Sequence, residues 1–258
     1  MKAAFWLLAV LPAAAQPKLL INAQLDTRSA AAGLDREFRS LLTVQPQPAW
    51  IAYAVPSVRS YNLGCEYVSP GGRTAPGVVH LEPPQEAILL FRVVSGAIDR
   101  VRTLSPDCEI DAGGVPVHWL TDIRPAESVA LLAALDRQET ITAIAMHADA
   151  SADAALERLA ASDHAESVRR RAVYWIGAAR GRHGLDTVKQ FLATESDTAL
   201  RERAISGVAA SSDPQAIDLL ISVARQDKDM RVRRQAMNAI GRSRDPKAQA
   251  FLEQVLKP

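Results

Sequence analysis

VRRRAVYWIG, Val168 to Gly177, sets three consecutive arginines beside Tyr174 and Trp175. In isolation it reads as a grip for nucleic acid or another polyanion. Its neighbours at fixed spacing give it a different meaning. Val168, Leu200 and Val232 stand 32 residues apart, and so do Arg169, Arg201 and Arg233. Ala172, Ala204 and Ala236 follow in the same register, then Ile176, Val208 and Ile240, then Gly177, Ala209 and Gly241. Asp213-Pro214 coincides with Asp245-Pro246. Val188, Leu220 and Leu252 form a further column, as do Phe191, Val223 and Val255. A degenerate unit precedes these, with Thr140, Ile144 and Ala145, then Leu156 and Leu159. The period therefore predicts about four units of two helices each.

Val168, Ala172 and Ile176 lie at i, i+4 and i+8, one stripe of a helix. The small alanine column lets neighbouring helices approach closely. Asp-Pro supplies an N-cap and a proline pre-set for the first helical position. One helix pair buries too little apolar surface to fold alone, whereas stacked pairs share a continuous core. The expected fold over residues 137–258 is an all-α solenoid of helix pairs.

The unit V-R-x-x-A, an apolar residue with Gly, then D-P and a second apolar helix resembles the HEAT repeat. It is most similar to the short type found in phycobilisome lyases. The resemblance covers roughly residues 137–258 and implies a protein-interaction scaffold, with a lyase branch that handles bilins. The whole chain also resembles small exported bacterial HEAT-repeat proteins in which a signal peptide and a small domain precede the array. In that pattern Pro125 to Leu135 is a connecting helix, within a connecting segment at 125–136.

Residues 16–124 have a different grammar, with most of the glycines and prolines and strand-like runs. A strand is expected over 19–29, a helix from Leu34 with Phe38, Leu41 and Leu42 on one face, and a strand over 50–55. Val78 to Leu81 reads as a short strand after a loop with Gly71-Gly72 and Pro76. Ala87 to Val94, Ser95-Gly96 and Ala97 to Thr103 read as a β-hairpin. A last strand is expected over 115–120. Together these predict a small α+β domain ahead of the array.

The chain opens MKAAFWLLAVLPAAAQP. A single lysine, a short apolar core, a helix-breaking Pro12 and three alanines have the form of a secretory signal peptide. Cleavage is expected after Ala15, placing the protein in the periplasm or outside the cell. The apolar run is shorter than the ~20 residues a membrane-spanning helix needs, so no membrane insertion is expected. The chain has 30 Lys and Arg against 29 Asp and Glu, and loss of Lys2 leaves 29 of each. That balance argues against a general polyanion binder, because such binding draws its affinity from neutralised phosphates. No cofactor-binding motif occurs, neither G-x-S-x-G nor a phosphate-binding glycine loop.

Cys65 and Cys108 are the two cysteines. An even number in an exported protein favours a disulfide, here closing a loop worth about 3–4 kcal/mol by chain entropy. The alternative is a metal site with His80 and His118, although zinc sites usually show close cysteine pairs. Asp107, Glu109 and Asp111 alternate as in a calcium loop, but Ala112 stands where that loop needs Gly and His118 where it needs Glu. A metal-dependent hydrolase built from His80, His118 and this acidic cluster is the enzyme alternative, beside a lyase by resemblance. No residue set fixes a catalytic reaction. His164 and His183 are expected in turns between helices, and Trp50 and Trp119 in the core of the N-terminal domain.

Two readings of the arginine column Arg169, Arg201 and Arg233 stand side by side. One is an anion site; the other is a structural ladder in which Asp197 and Asp229 cap helices or pair with the arginines. The second helices usually line the binding face of such arrays. Their solvent-side residues include Arg158, Lys189, Gln190, Ser222, Arg225, Glu253 and Gln254. This mixed surface suits a protein or peptide partner rather than nucleic acid, which would need a basic stripe.

Overall fold

The computed structural model describes residues 20–44, 48–58, 63, 65 and 85–257. The leader expected at 1–15, the glycine loop, the strand expected at 78–81 and His80 lie outside the described residues. In chain order the sheet region contains β1 (Leu20–Ile21), β2 (Gln24–Ser29), α1 (Leu34–Val44), β3 (Ala49–Pro56), β4 (Glu86–Val94), β5 (Ala97–Leu104), β6 (Ile110–Asp111) and β7 (Pro116–Thr121). One strand was expected over 19–29, yet two form. Asn22 between them takes φ 51°, a left-handed conformation that Asn tolerates and that interrupts extended pairing.

The main sheet has the order β2-β7-β3-β4-β5, and β1 pairs separately with β6. β7 lies parallel to both neighbours, while β3, β4 and β5 form an antiparallel meander. The β4–β5 turn needs positive φ at both central residues, and Ser95 and Gly96 supply 51° and 79°. Strand alternation then divides the side chains. Ile51, Tyr53, Val55, Leu89 and Phe91 face α1, where Phe38 meets Phe91 edge-on at 4.9 Å. Ala52, Ile88, Leu90, Val117 and Trp119 form a second cluster with Cys108 on the other face. Trp50 is half-buried against that cluster.

The helices follow: α2 (Pro125–Ala134), α3 (Thr140–Met146), α4 (Ser151–Leu159), α5 (Glu166–Ala179), α6 (Gly181–Thr194), α7 (Thr198–Ala210), α8 (Ala216–Gln226), α9 (Met230–Arg242) and α10 (Pro246–Leu256). From α3 onward they form four successive pairs, the array read from the period. Asp197, Asp229 and Asp245 cap α7, α9 and α10 through their side chains, and Pro246 opens α10. Asp213 differs. Its carboxylate accepts from Gln215 N at 2.8 Å, and α8 starts only at Ala216. The turn after Pro214 uses an i+3 bond, Ala216 N to Asp213 O at 3.0 Å, before regular helix begins.

Ala172, Ala204 and Ala236 are fully buried between the pairs. One continuous core runs from α1 and the sheet through α2 and α3 to Phe251 in α10. At the junction the backbone of β3 runs on into the array: Val58 N donates to Met146 O at 2.8 Å, and Ala148 N to Pro56 O at 2.9 Å.

Candidate functional site

The arginine column forms a ladder. Arg169 donates to Glu195 at 2.5 Å and to Ala160 O at 3.1 Å. Arg201 holds both carboxylate oxygens of Asp227 through Nη2, at 2.8 and 2.6 Å, with both side chains almost fully buried. Arg233 donates to Asp227 O at 2.6 Å. Glu195 and Asp227 stand at the ends of α6 and α8, where they also accept the amides of Asp197 and Asp229. Those two aspartates then cap α7 and α9. Thus Arg169 and Arg201 each fix the turn that starts the next pair, while Arg233 reaches back to the turn before its own helix. The acids that meet the arginines stand two residues before the capping aspartates, and the aspartates themselves cap.

The other arginines of the opening stretch are also placed. Arg170 lies 3.6 Å from Glu166. Arg171 reaches back to Gln138 O at 3.1 Å. Arg203, in register with Arg171, stacks on the Tyr174 ring at 4.1 Å, and Gln235, next in that column, donates to Ser206 at 3.1 Å. Arg231 pairs with Glu202 at 2.8 Å. These contacts lace neighbouring first helices together, while Arg234 and Asn238 on α9 stay exposed beside them. Trp175 is buried beside the stripe. Arg137 also belongs to the 32-residue column and was missed because its unit is degenerate. It donates to Ile98 O in the hairpin at 2.9 Å, tying the array to the sheet.

First helices approach at glycine. A Cβ on Gly177 would lie 2.8 Å from Val208 N, and one on Gly207 only 2.2 Å from Tyr174 O. The Gly177–Ala209–Gly241 column does not serve this role throughout, since nothing lies within 4 Å of a Cβ on Gly241. Gly207→Ala should lose about 2 kcal/mol, an overpacking cost near 3 offset by about 1 of helix propensity. Gly241→Ala should instead gain up to about 1 kcal/mol. Urea unfolding of the two variants checks the pair; equal effects would refute the close approach.

On the second helices, Arg158, Lys189, Gln190, Ser222, Arg225, Glu253 and Gln254 are all exposed. Arg225 donates to Gln254 at 2.7 Å and lies over the Phe251 ring. Lys189 and Ser222 line a groove of about 330 Å³ between α6 and α8. His183 sits in the first turn of α6 rather than in a connecting turn, and its Nε2 donates to the Glu157 carboxylate at 2.8 Å. His164 does lie between helices.

Cys65 and Cys108 are bonded to each other. The other N-terminal candidates do not converge. His118 pairs with Asp26 on the neighbouring strand at 3.0 Å, Asp107 accepts from Ser105, and Asp111 accepts from Asn22 and the Gly113 amide. Glu109 and Asp111 line a cavity of about 380 Å³ beside the disulfide. Among the described residues no three His, Cys, Asp or Glu are grouped to hold a metal ion. No described helix is long and apolar enough to cross a membrane.

One polar constellation escaped sequence reasoning. Tyr53 on β3, Ser128 on α2 and His147 after α3 form a chain of hydrogen bonds, each link 2.9 Å. His147 Nδ1 faces Ala143 O at 2.7 Å. That carbonyl can only accept, so Nδ1 carries the proton; Nε2 then accepts from Ser128 and Ser128 from Tyr53. All three side chains are buried, so the hydroxyl is closed to substrate and the chain acts as a clasp between sheet and array. Arg180 closes the same corner, donating to Ala145 O, His147 O and Asp153.

Burial, reinforced by the charge of Arg180, lowers the His147 pKa to about 4. The unfolded chain binds this proton near pH 6.5, so the clasp's stability is complete above that pH and fades as pH falls toward 4. The loss should reach about 3 kcal/mol across that window. Ser151 holds Asp149, and Thr198 holds Asp229, below the usual carboxylate range, so their contributions fade only in stronger acid. Urea titrations from pH 7.5 to 4.5 test this; a flat profile, or the same slope in His147→Gln, would remove His147 as the cause.

The family model for HEAT repeats matches residues 185–258, which take in α6 from Leu185 onward and the helices after it. Over that stretch the chain is similar to HEAT repeats. No curated protein matches the chain. A similar solved structure is the complex of CpcE and CpcF of phycocyanin lyase from Nostoc sp. PCC7120. It is 16% identical, with TM-score 0.36, over 50% of this chain and 88% of that one.

Proposed function

We propose that this is a non-catalytic binding or scaffolding protein, exported to the periplasm, that holds another protein on its second-helix row. HEAT repeats support a protein-interaction role. The observation that favours the row is its larger share of unspent side chains, Arg234, Asn238 and Arg242 on α9 being the first-helix exceptions. Arg171, Arg203, Arg231 and Gln235 on the first helices are each bound to the preceding pair. Among the described residues the side chains of Arg158, Lys189, Gln190, Ser222 and Glu253 on the second helices make no hydrogen bond or ion pair, although all are exposed.

A photo-crosslinking residue at Gln190 or Ser222 of the full chain, produced in its native cells, tests this. A discrete protein adduct at these positions and none at Asn238, on the first helices, is expected. Adducts at Asn238 alone, or none at any position, would overturn the reading. N-terminal sequencing of the recovered protein checks export, with Gln16 expected first.

A further inference from the structure

We infer that the groove between α6 and α8 docks an acidic peptide segment of the partner, anchored by an apolar side chain. This rests on the second-helix row being the binding face and names the chemistry it takes. Elsewhere that row is stitched across neighbouring pairs. Glu157 on α4 bonds His183 and Thr187 on α6, and Asp218 and Arg225 on α8 bond Lys247 and Gln254 on α10. Among the described residues no side-chain hydrogen bond or ion pair crosses from α6 to α8, and there the groove of about 330 Å³ opens.

Leu192, Leu219 and Val223 give the groove apolar walls, and Arg201 and Asp227 lie along it. Asp227 is the one acid in this lining. It is neutralised by two bonds from Arg201 and also accepts the Asp229 amide. Lys189 and Lys228, both exposed, line the same groove and have no acid partner among the described residues. The buried Arg201 Nε–H has no hydrogen-bond acceptor. The balance left to an occupant is therefore positive charge at the margin and apolar surface within. A volume at the lower end of ligand pockets admits a few side chains, not a folded domain. A basic segment would meet both lysines. Nucleic acid would need a longer row of free cations than two.

Selection of displayed random short peptides on the immobilised full chain provides the probe. Winning sequences should carry Asp or Glu around a Leu, Val or Phe. A fluorescent copy of a winner should bind the Lys189→Glu, Lys228→Glu double variant roughly tenfold more weakly or worse, and more weakly in salt. The Lys→Gln pair should fall between, and Arg234→Glu, on the first helices, should change nothing. These lysines are exposed, and the thermal melt of each variant confirms an unchanged fold. Basic or uncharged winners, acidic winners indifferent to both lysines, or no winner at all would overturn the groove. Native adducts at Gln190 or Ser222 persisting beside such a result would leave the binding function standing and remove only the groove.

Discussion

Asp227→Ala should destabilise the chain by about 3–5 kcal/mol, the cost of leaving a buried charge without its partner. The Arg201 and Asp227 side chains are 2% and 7% exposed, so the intact pair is held away from water. The same substitution frees the Asp229 amide and loosens the cap of α9. Glu195→Ala should cost less, because Arg169 and Glu195 retain 15% and 13% exposure and some solvent screens the stranded arginine. Replacing both partners, Arg201→Met with Asp227→Asn, should recover much of the loss, since an apolar substitute removes the desolvation cost along with the attraction. Urea unfolding of the four proteins decides it. A loss for Asp227→Ala within the ~0.5 kcal/mol of an ordinary surface change would show that the ladder does not carry the array.

Reduction of the Cys65–Cys108 bond should remove about 4 kcal/mol, from a sequence separation of 43 in the chain-entropy relation. Cys108 is 2% exposed and packs with Trp119 in the second face of the sheet, so the damage should begin there. Tryptophan fluorescence should shift at a lower urea concentration than the helical far-UV signal. Thiol titration of the native chain should find no free thiol. Two reactive thiols in the native chain, or the same unfolding curve with and without reductant, would refute the bond's contribution.

The array was legible because its physics repeats. Helix stripe, alanine contact and Asp cap recur at one period, so each unit confirms the next. The ladder was legible only in half. The arginines share a column, but their acids differ in kind, Glu195 and then Asp227, and stand in the turn rather than on the stripe. The hairpin was legible because Ser95-Gly96 has local turn chemistry. The Tyr53–Ser128–His147 chain left no such trace. Its members come from a strand, a helix and a turn far apart in sequence, and only the packing of sheet against α2 and α3 brings them together. The N-terminal histidine and carboxylates looked alike as a cluster because spacing along the chain carries no information about which neighbouring segment each side chain meets. His118 meets Asp26 because β7 runs beside β2.

The glycine contacts also determine how the solenoid can move. Where α5 and α7 touch backbone to backbone at Gly177 and Gly207, the two helices have no room to come closer, so that part of the first-helix row resists compression. The second-helix row has a groove at α6 and α8 with no side-chain bond across it among the described residues, so bending of the array should be easiest there, and a segment seated in the groove should slow amide exchange in α6 and α8 together.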